Sequence, residues 1–322
     1  MNPIRPSNLN EFIGQQNARR ILSVLIAAAK KRNEPVPHLL LSGPPGLGKT
    51  TLARIVATEM GGRLIEMVGS AVKNASDMTQ HLMQLHANDV LFVDEIHALG
   101  RKTEEVLYPP MEDGTTTVCE PSFNDLVRQL GIKSSGKSSI THPLPPFTLI
   151  GATTLLGLCS APLRSRFRQV LELQPYSESE LQTIVTNTAG RMSFGLESGL
   201  AFEIARRSRG TARIAVNNLL FFRDVVQGDG DVPTMQLLEQ AFEMKGVDKN
   251  GLTQADRDYL RILTVAEDAV GVETLAIALS ESVETTTESV EPFLLQRGFV
   301  QRTSRGRIIT EKGRSIITEV VA

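Results

Sequence analysis

A glycine-rich run suited to binding phosphate begins at Gly43 and reads GPPGLGKT. Glycines in such a run let successive backbone N–H groups surround phosphate oxygens, and its lysine, here Lys49, reaches the β- and γ-phosphates. A short apolar segment, 38–42, precedes the run, and an amphipathic helical pattern begins at Lys49. This context predicts a P-loop that binds ATP. The predicted nucleotide contacts in it are Gly46, Gly48, Lys49, Thr50 and Thr51.

Two acids at the end of an apolar strand would complete a hydrolysis site. The segment 90–93 is apolar, and Asp94 and Glu95 follow it directly. Because the carboxyl ends of parallel strands lie at one edge of a sheet, both acids are expected beside the P-loop. We predict that Asp94 orients Mg²⁺ through its water shell and that Thr50 supplies a Mg²⁺ ligand. Glu95 would polarise the water that attacks the γ-phosphorus.

Two threonines and two arginines could act on the same phosphate. Thr153 and Thr154 follow the apolar segment 147–152 and could contact the γ-phosphate or the water. Arg164 and Arg166 could be presented by one subunit to the ATP of its neighbour, where they would neutralise charge in the transition state. The sequence therefore predicts hydrolysis that requires neighbouring copies of the chain.

A second run, at 131–138, matches the P-loop pattern but lacks its context. It reads GIKSSGKS, follows no apolar strand and is succeeded by prolines at 143, 145 and 146. Proline is incompatible with a helix interior, so the helix that a P-loop requires has no room to form. We interpret this run as a flexible loop.

Five short apolar segments alternate with helical patterns over the first half of the chain, at 38–42, 63–68, 90–94, 147–153 and 169–173. This alternation predicts an α/β domain, with a parallel sheet covered by helices on both faces. From Ser177 to about Gly246 only amphipathic helical runs follow, which predicts a small helical domain. The arginines at 206, 207 and 209 are interpreted mostly as a solvated helix face.

The last 73 or so residues show a third pattern. Helical runs at about 254–267, 272–280 and 285–296 precede two strand-like segments, 299–302 and 307–310, around a turn. Three helices and a hairpin predict a winged helix, a variant of the helix-turn-helix. We predict domains at 1–172, 173–249 and 250–322. The tail is locally basic, which suits phosphate contact.

Composition excludes several classes of protein. The chain has 322 residues, is 41% hydrophobic and 22% charged, and its net charge of -2 excludes binding of nucleic acid through overall positive charge. Two cysteines are too few for a disulfide framework. The start lacks the apolar core of a signal peptide, and no apolar run approaches the ~18 residues that span a bilayer. We expect a cytoplasmic protein.

A series of motifs extends along nearly the whole chain. They are Arg5-Pro6, Phe12-Ile13-Gly14-Gln15, the P-loop, Asp94-Glu95-Ile96-His97, Tyr108-Pro109, Met111-Glu112-Asp113, the run 145–154, the run 206–211, the run 291–296 and Gln301-Arg302-Thr303. Together these motifs resemble the RuvB family of Holliday-junction branch-migration motors, which are AAA+ ATPases. The resemblance implies an AAA+ P-loop core, a small helical lid domain and a C-terminal winged helix. Between Asp113 and Leu144 the segment is longer than the short β-hairpin by which the family docks on RuvA.

The resemblance also implies individual roles. Thr154 would be the sensor-1 residue and Arg166 the arginine finger that acts in trans. Arg213 would be the sensor-2 arginine, and Arg302 and Arg307 would contact DNA. The residues of the adenine pocket would be Ile4, Arg5, Phe12, Ile13 and Tyr176.

These features predict a ring, a hexamer by resemblance, that hydrolyses ATP with Mg²⁺ and translocates duplex DNA to drive branch migration in recombination and repair. Its partners would be the duplex arms of four-way junctions, a RuvA-like junction-binding protein and a junction resolvase. Two alternatives stay open: a loading or remodelling ATPase without sustained translocation, and a DNA-bound switch whose nucleotide sets assembly. The Asp94-Glu95 pair and Arg166 argue against the switch.

Overall fold

The computed structural model describes residues 4–119, 139–230, 232–266 and 268–321. The chain divides into two compact units, with Tyr176 ending the first and Ser177 beginning the second. The run at 131–138, which we interpreted as a flexible loop, lies outside the described residues. Within the described ranges, no helix is both long enough and apolar enough to cross a membrane.

A five-stranded parallel sheet in the order β2-β3-β6-β1-β7 forms the centre of the first unit. The strands of this unit are β1 (Leu39–Ser42), β2 (Leu64–Val68), β3 (Val90–Asp94), β4 (Thr115–Cys119), β5 (Ser139–Pro143), β6 (Thr148–Thr153) and β7 (Gln169–Glu172). Ser42 pairs with Thr153 across β1 and β6, and Val93 pairs with Gly151 across β3 and β6. The carboxyl ends of β1, β3 and β6 therefore meet at one edge, as the sequence predicted.

Helices flank this sheet because apolar side chains recur at helical spacing. They are α1 (Gln16–Arg32), α2 (Lys49–Met60), α3 (Ala75–Met83), α4 (Arg101–Glu105), α5 (Tyr108–Glu112) and α6 (Ala161–Arg166). In α1, Ala18, Leu22, Ile26 and Ala29 are buried, and the helix packs against α2. The central strands are buried along their whole length, as expected for a parallel sheet covered on both faces.

An antiparallel pair, β4 and β5, occupies part of the segment that the sequence did not assign to strands. Thr115 pairs with Pro143, and Thr117 pairs with Thr141. β-Branched threonines favour extended backbone, but they do not alternate with apolar residues here, so periodicity gave no signal. The described parts of the 114–144 segment thus include two antiparallel arms, β4 and β5.

Helices α7 to α10 open the second unit, at Glu178–Arg191, Ser198–Arg206, Ala212–Asp229 and Met235–Met244. The first begins with a capping box, in which Ser177 and Glu180 each bond the other's backbone N–H. This unit has no assigned strand before Val300 within the described residues, so the predicted small helical domain is confirmed in its secondary structure.

The winged-helix prediction is also confirmed. Helices α11 (Gln254–Val265) and α12 (Val272–Leu279) are followed by α13 (Val283–Thr285), a π-helical turn, and α14 (Glu291–Gln296). The hairpin of β8 (Val300–Thr303) and β9 (Gly306–Ile309) then leads to α15 (Glu311–Val321), and Val270 bridges to Arg307 beside it. The turn is tighter than predicted, because Thr303 and Gly306 already pair.

The arginines of the run 206–209 do not form the solvated face that we expected. Arg207 is 3% exposed, pairs with Glu203 and Glu239, and lies 4.6 Å from the centre of the Phe242 ring. Arg209 pairs with the fully buried Asp256 and donates to the carbonyl oxygen of Ser289 at 2.9 Å. The prediction was wrong because Glu239 and Asp256, both distant in sequence, neutralise charges whose burial would otherwise destabilise the fold.

Candidate functional site

The P-loop joins β1 to α2 in a conformation that only glycine adopts without strain. Gly48 has a φ angle of 104°, and a Cβ atom there would lie 2.8 Å from Cζ of Phe12. Gly43 has a φ angle of 141°, and a Cβ there would lie 2.6 Å from the carbonyl oxygen of Leu173. The two glycines therefore permit both the turn itself and close packing of neighbouring segments on it.

Lys49 lies inside the loop rather than in solvent. Its side chain is buried, and Nζ donates hydrogen bonds to the carbonyl oxygens of Gly43 at 2.6 Å and Pro44 at 3.0 Å. Burial lowers the pKa of Lys49, while the nearby carboxylates of Asp94 and Glu95 oppose that shift. An ammonium group held in this way by loop carbonyls can exchange them for phosphate oxygens, which are stronger acceptors.

Glu95 occupies a strained backbone position. Its φ angle is 48°, in the left-handed region, and its backbone N–H donates to Oδ1 of Asp94 at 3.0 Å. Such a conformation costs ~1–3 kcal/mol in a residue other than glycine, and strain of this kind clusters at functional sites. The strained segment also needs Gly69, where a Cβ would lie 2.4 Å from the Glu95 carbonyl oxygen. Sequence reasoning missed Gly69, since a lone glycine carries no motif.

The two candidate threonines differ in their surroundings. Thr153 is buried; its Oγ1 lies 2.9 Å from Nδ1 of His97 and accepts from the Leu155 backbone at 3.0 Å. Thr154 is half-buried and lines an open cleft together with Ser42, Gly43 and the loop 155–158. Thr154 is therefore the threonine available beside the P-loop.

Two chain segments close over the P-loop on the side of Gly48. Phe12 and Tyr176 are buried, and the Tyr176 hydroxyl donates to the carbonyl oxygen of Leu47 at 2.8 Å. The segments are joined by Gln15, which donates to the Gln174 carbonyl oxygen at 2.7 Å and accepts from its N–H at 3.0 Å. Gln15 was not among the predicted contacts, although its left-handed φ of 49° after Gly14 marks a tight turn.

The remaining predicted pocket residues lie near the start of the described chain. Ile13 is half-buried within the same segment as Phe12. Ile4 is half-buried and Arg5 is exposed.

In α2, Thr50 and Thr51 directly follow Lys49 and are half-buried.

Arg166 ends α6 and is packed against α5. One terminal nitrogen donates to the Pro162 carbonyl oxygen at 2.7 Å, and the other lies 3.0 Å from Oε1 of Glu112. The guanidinium carbon lies 3.9 Å from the centre of the Tyr108 ring, a cation–π contact. Arg164, by contrast, is exposed.

Arg213 belongs to the second unit, where it occupies the second position of α9 and is exposed. The role of Arg213 in sensing nucleotide stays a prediction.

Arg302 and Arg307 converge on one carboxylate in the winged helix. Glu291 is fully buried and accepts hydrogen bonds from both guanidinium groups and, at 2.7 Å, from the Tyr259 hydroxyl. Burial alone would raise the pKa of Glu291, but the bonds from Arg307, Tyr259 and Arg302 lower it below its ordinary value. Burial and the bond to Glu291 raise the pKa of Tyr259.

The two arginines differ in what else they can reach. The Arg302 side chain is 51% exposed, whereas that of Arg307 is 16% exposed. Arg302 can thus contact an external anion while it stays paired with Glu291. Arg307 lies mainly inside, between β9 and α14. Arg305, at the tip of the hairpin, is exposed.

A P-loop after β1, two acids at the carboxyl end of β3 and a threonine after the intervening strand β6 define a P-loop ATPase of the AAA+ class. Family models agree along the chain. They describe the Holliday junction DNA helicase RuvB P-loop domain at residues 4–173, the RuvB AAA lid domain at 176–248 and the RuvB C-terminal winged helix domain at 249–318.

Individual relatives show the same similarity. The chain is 43% identical over 313 residues to the Holliday junction branch migration complex subunit RuvB of Fusobacterium nucleatum, covering 96% of this chain and 91% of that protein. It is 45% identical over 311 residues to that of Rubrobacter xylanophilus, covering 95% and 84%. The solved Thermotoga maritima RuvB branch migration motor matches with a TM-score of 0.84 at 39% identity, covering 98% of this chain and 99% of that one. The chain belongs to the RuvB family.

Proposed function

We propose that this protein is the ATP-driven motor of Holliday-junction branch migration, a DNA translocase that acts in recombination and repair in the cytoplasm. The observation that carries the proposal is the presence of two features in one chain. The buried P-loop lysine, Lys49, lies near Asp94 and Glu95, and a winged helix follows later in the chain. Names of the relatives given above support the same activity. The division into domains at 1–172, 173–249 and 250–322 is part of this proposal.

The nucleotide in this proposal is ATP with Mg²⁺. The hydroxyl of Thr50 and the carboxylate of Asp94 are oxygen donors of the kind that Mg²⁺ prefers. The phosphates would bind in the space beside Gly48, which the side chain of any larger residue would fill. Magnesium would neutralise charge on the phosphate oxygens. Lys49 and the backbone at Gly46 and Gly48 hold the phosphates, Glu95 orients the attacking water, and Thr154 contacts the γ-phosphate.

The base and the nucleotide state are recognised by other residues. We propose that Phe12, Ile13 and Tyr176 surround adenine, with Ile4 and Arg5 completing the pocket. The support is the packing of Phe12 and Tyr176 on the loop at Gly48. Arg213 would pair with a terminal phosphate, so the lid domain that carries Arg213 would respond when hydrolysis removes that phosphate.

In this proposal identical chains form a hexameric ring, and each chain supplies an arginine finger to its neighbour. Arg166 of one copy would reach the ATP of its neighbour, because a guanidinium group stabilises charge on the transferred phosphoryl group. An ATPase assay over a range of protein concentration tests this step. Turnover per chain should rise cooperatively with concentration in the wild type, and Arg166→Ala should remove the rise. Turnover independent of concentration and of this mutation would contradict it.

We assign DNA contact to the hairpin of β8 and β9 in the winged helix. Arg302 would bind phosphate directly, since half of its side chain is exposed, and Arg307 would contribute positive potential and hold the hairpin. The proposed partners are the duplex arms of four-way junctions, a RuvA-like junction-binding protein and a junction resolvase. The β4–β5 arms favour a RuvA-like partner, because the family docks on RuvA through a hairpin at this place in the sequence.

A further inference from the structure

The guanidinium group of Arg166 is held from three directions within its own chain. It donates to the Pro162 carbonyl oxygen at 2.7 Å, stacks on the Tyr108 ring at 3.9 Å and lies 3.0 Å from the Glu112 carboxylate. Its side chain is only 21% exposed. Both terminal nitrogens of a residue proposed to act on a neighbouring copy thus have partners within their own chain.

The Tyr108 ring is itself fixed by a buried acid. Glu104 is 8% exposed and accepts hydrogen bonds from the Tyr108 hydroxyl and from the Ser160 hydroxyl. Ser160 caps α6 by accepting from the Leu163 N–H at 3.1 Å. The helix that carries Arg166 is therefore tied to α4 and α5 at both of its ends, and the ring under the guanidinium cannot swing freely.

Glu112 differs from the other contacts in charge and exposure. Its side chain is 52% exposed, so its ion pair with Arg166 is weak and can be exchanged. The ring of Tyr108 and the carbonyl of Pro162 carry no full charge and do not compete with phosphate. Only Glu112 presents the kind of group, an anionic oxygen, that a γ-phosphate would also present.

We propose that Glu112 is a positioning residue for Arg166: its carboxylate holds the place of the neighbouring copy's phosphate until assembly brings that phosphate within reach. Tyr108 keeps the guanidinium plane oriented during the exchange. The inference rests on the proposed trans-acting role of Arg166 and adds a competing acceptor to it. Removal of the Glu112 carboxylate should favour binding of Arg166 to the neighbouring copy's phosphate, and removal of the Tyr108 ring should disfavour it.

The test compares steady-state ATPase kinetics of Glu112→Gln with those of the wild type at a fixed, partly assembled protein concentration. We expect kcat to rise about two- to five-fold, the ratio that corresponds to the ~0.4–1 kcal/mol of an exposed ion pair. The KM for ATP should stay unchanged, because the P-loop is untouched. Glu105→Gln is the matched control: it removes an exposed acid paired with Arg101 on the adjacent α4 and should change nothing.

Tyr108 gives a second measurement. Tyr108→Phe keeps the ring face but loses the bond to Glu104, so it should retain clearly more turnover than Tyr108→Leu, which should lower kcat about ten-fold at unchanged KM. Thermal unfolding of both variants identifies any loss of folding. If Tyr108→Phe loses as much turnover as Tyr108→Leu, orientation by the ring is overturned.

Arg166→Ala separates the two claims. If it abolishes concentration-dependent turnover but Glu112→Gln behaves like Glu105→Gln, only the inference about Glu112 fails. If Arg166→Ala keeps wild-type turnover, the proposed finger fails and the inference fails with it. In the Arg166→Ala background, residual turnover measured with radiolabelled ATP should be the same with and without Glu112→Gln, and a persisting increase would overturn the mechanism.

Discussion

The Tyr176 hydroxyl donates a hydrogen bond of 2.8 Å to the carbonyl oxygen of Leu47, so the last residue of the first unit is tied to the P-loop itself. The bond closes one wall of the proposed adenine pocket. The opposite wall, at Phe12, is linked to the same segment through the paired amides of Gln15 and Gln174. The end of the first unit and the segment at Phe12 are therefore both held against the loop that we propose binds nucleotide.

Tyr176→Phe removes that bond and leaves the ring in place. A net hydrogen bond contributes about 0.5–1.5 kcal/mol, so ATP affinity should fall roughly two- to ten-fold, as measured by titration with a fluorescent ATP analogue. Tyr259→Phe is the control, because it also removes a buried hydroxyl bond, but in the winged helix. Equal effects of the two variants on affinity would disprove the link.

Gly48→Ala should damage nucleotide binding more than another glycine substitution in the same helix-loop region. The added Cβ would lie 2.8 Å from Phe12 at a φ of 104°, whereas Gly61, at the end of α2, has a φ of 70° and open space around it. Both variants carry backbone strain of ~1 kcal/mol. Only Gly48→Ala should also lower ATP affinity, by about ten-fold or more in the same titration.

Glu95→Gln should separate hydrolysis from binding. The amide cannot take part in activating water, and loss of such general-base assistance lowers turnover about 10²- to 10⁴-fold. ATP binding should persist, since Lys49 and the P-loop glycines are intact. Lys49→Ala should instead lose binding. A Glu95→Gln protein that hydrolyses ATP at the wild-type rate would remove Glu95 from the mechanism.

Glu291→Ala should destabilise the winged helix. It would leave the largely buried guanidinium of Arg307 without its acceptor, and an unpaired buried charge costs roughly 3–5 kcal/mol. Since the folded pKa of Glu291 lies below the ordinary 4.5, its carboxylate stabilises the fold above about pH 4.5 and loses that effect as the pH falls through the lower folded value.

Thermal unfolding of Glu291→Ala at pH 7 checks the loss of stability, and unfolding of wild type and Glu291→Gln between pH 7 and pH 3 checks its dependence on the charge. The difference in melting temperature should be largest near neutral pH and should shrink as the pH falls below 4.5. A difference that is constant with pH would mean that the charge of Glu291 does not matter.

Arg302→Ala should weaken DNA binding and reduce by about one the slope of log affinity against log salt, because one phosphate contact is lost. Arg307→Ala should lower the unfolding temperature more, since this side chain is mainly interior. Arg261→Ala, an exposed arginine on α11 paired with Asp258, serves as the control. An unchanged salt slope in Arg302→Ala would contradict the DNA contact.

The sequence predicted the fold where local signals were strong. The strand before the P-loop was placed within one residue, because Leu39, Leu40 and Leu41 form an apolar run that a glycine-rich turn ends. The winged helix followed from helical periodicity and a hairpin. The roles of the predicted site residues, and the three domain boundaries, remain predictions.

What the sequence did not reveal depends on partners that are distant along the chain. The sequence indicated a solvated face for Arg207 and Arg209, because the acids that pair with them, Glu239 and Asp256, belong to other helices. The convergence of Arg302 and Arg307 on Glu291 was invisible for the same reason. Periodicity reports the environment of a segment, but not which charges meet in three dimensions.

Branch migration itself is the measurement that tests the central claim most directly. Four-way junctions with arms of increasing length would be incubated with ATP and the protein, with and without a RuvA-like junction-binding protein, and the separated duplexes quantified over time. We predict ATP-dependent product whose appearance slows in proportion to arm length, and none with Glu95→Gln. Product independent of arm length would instead indicate a loader, and equal product from Glu95→Gln and wild type would contradict a motor driven by ATP hydrolysis.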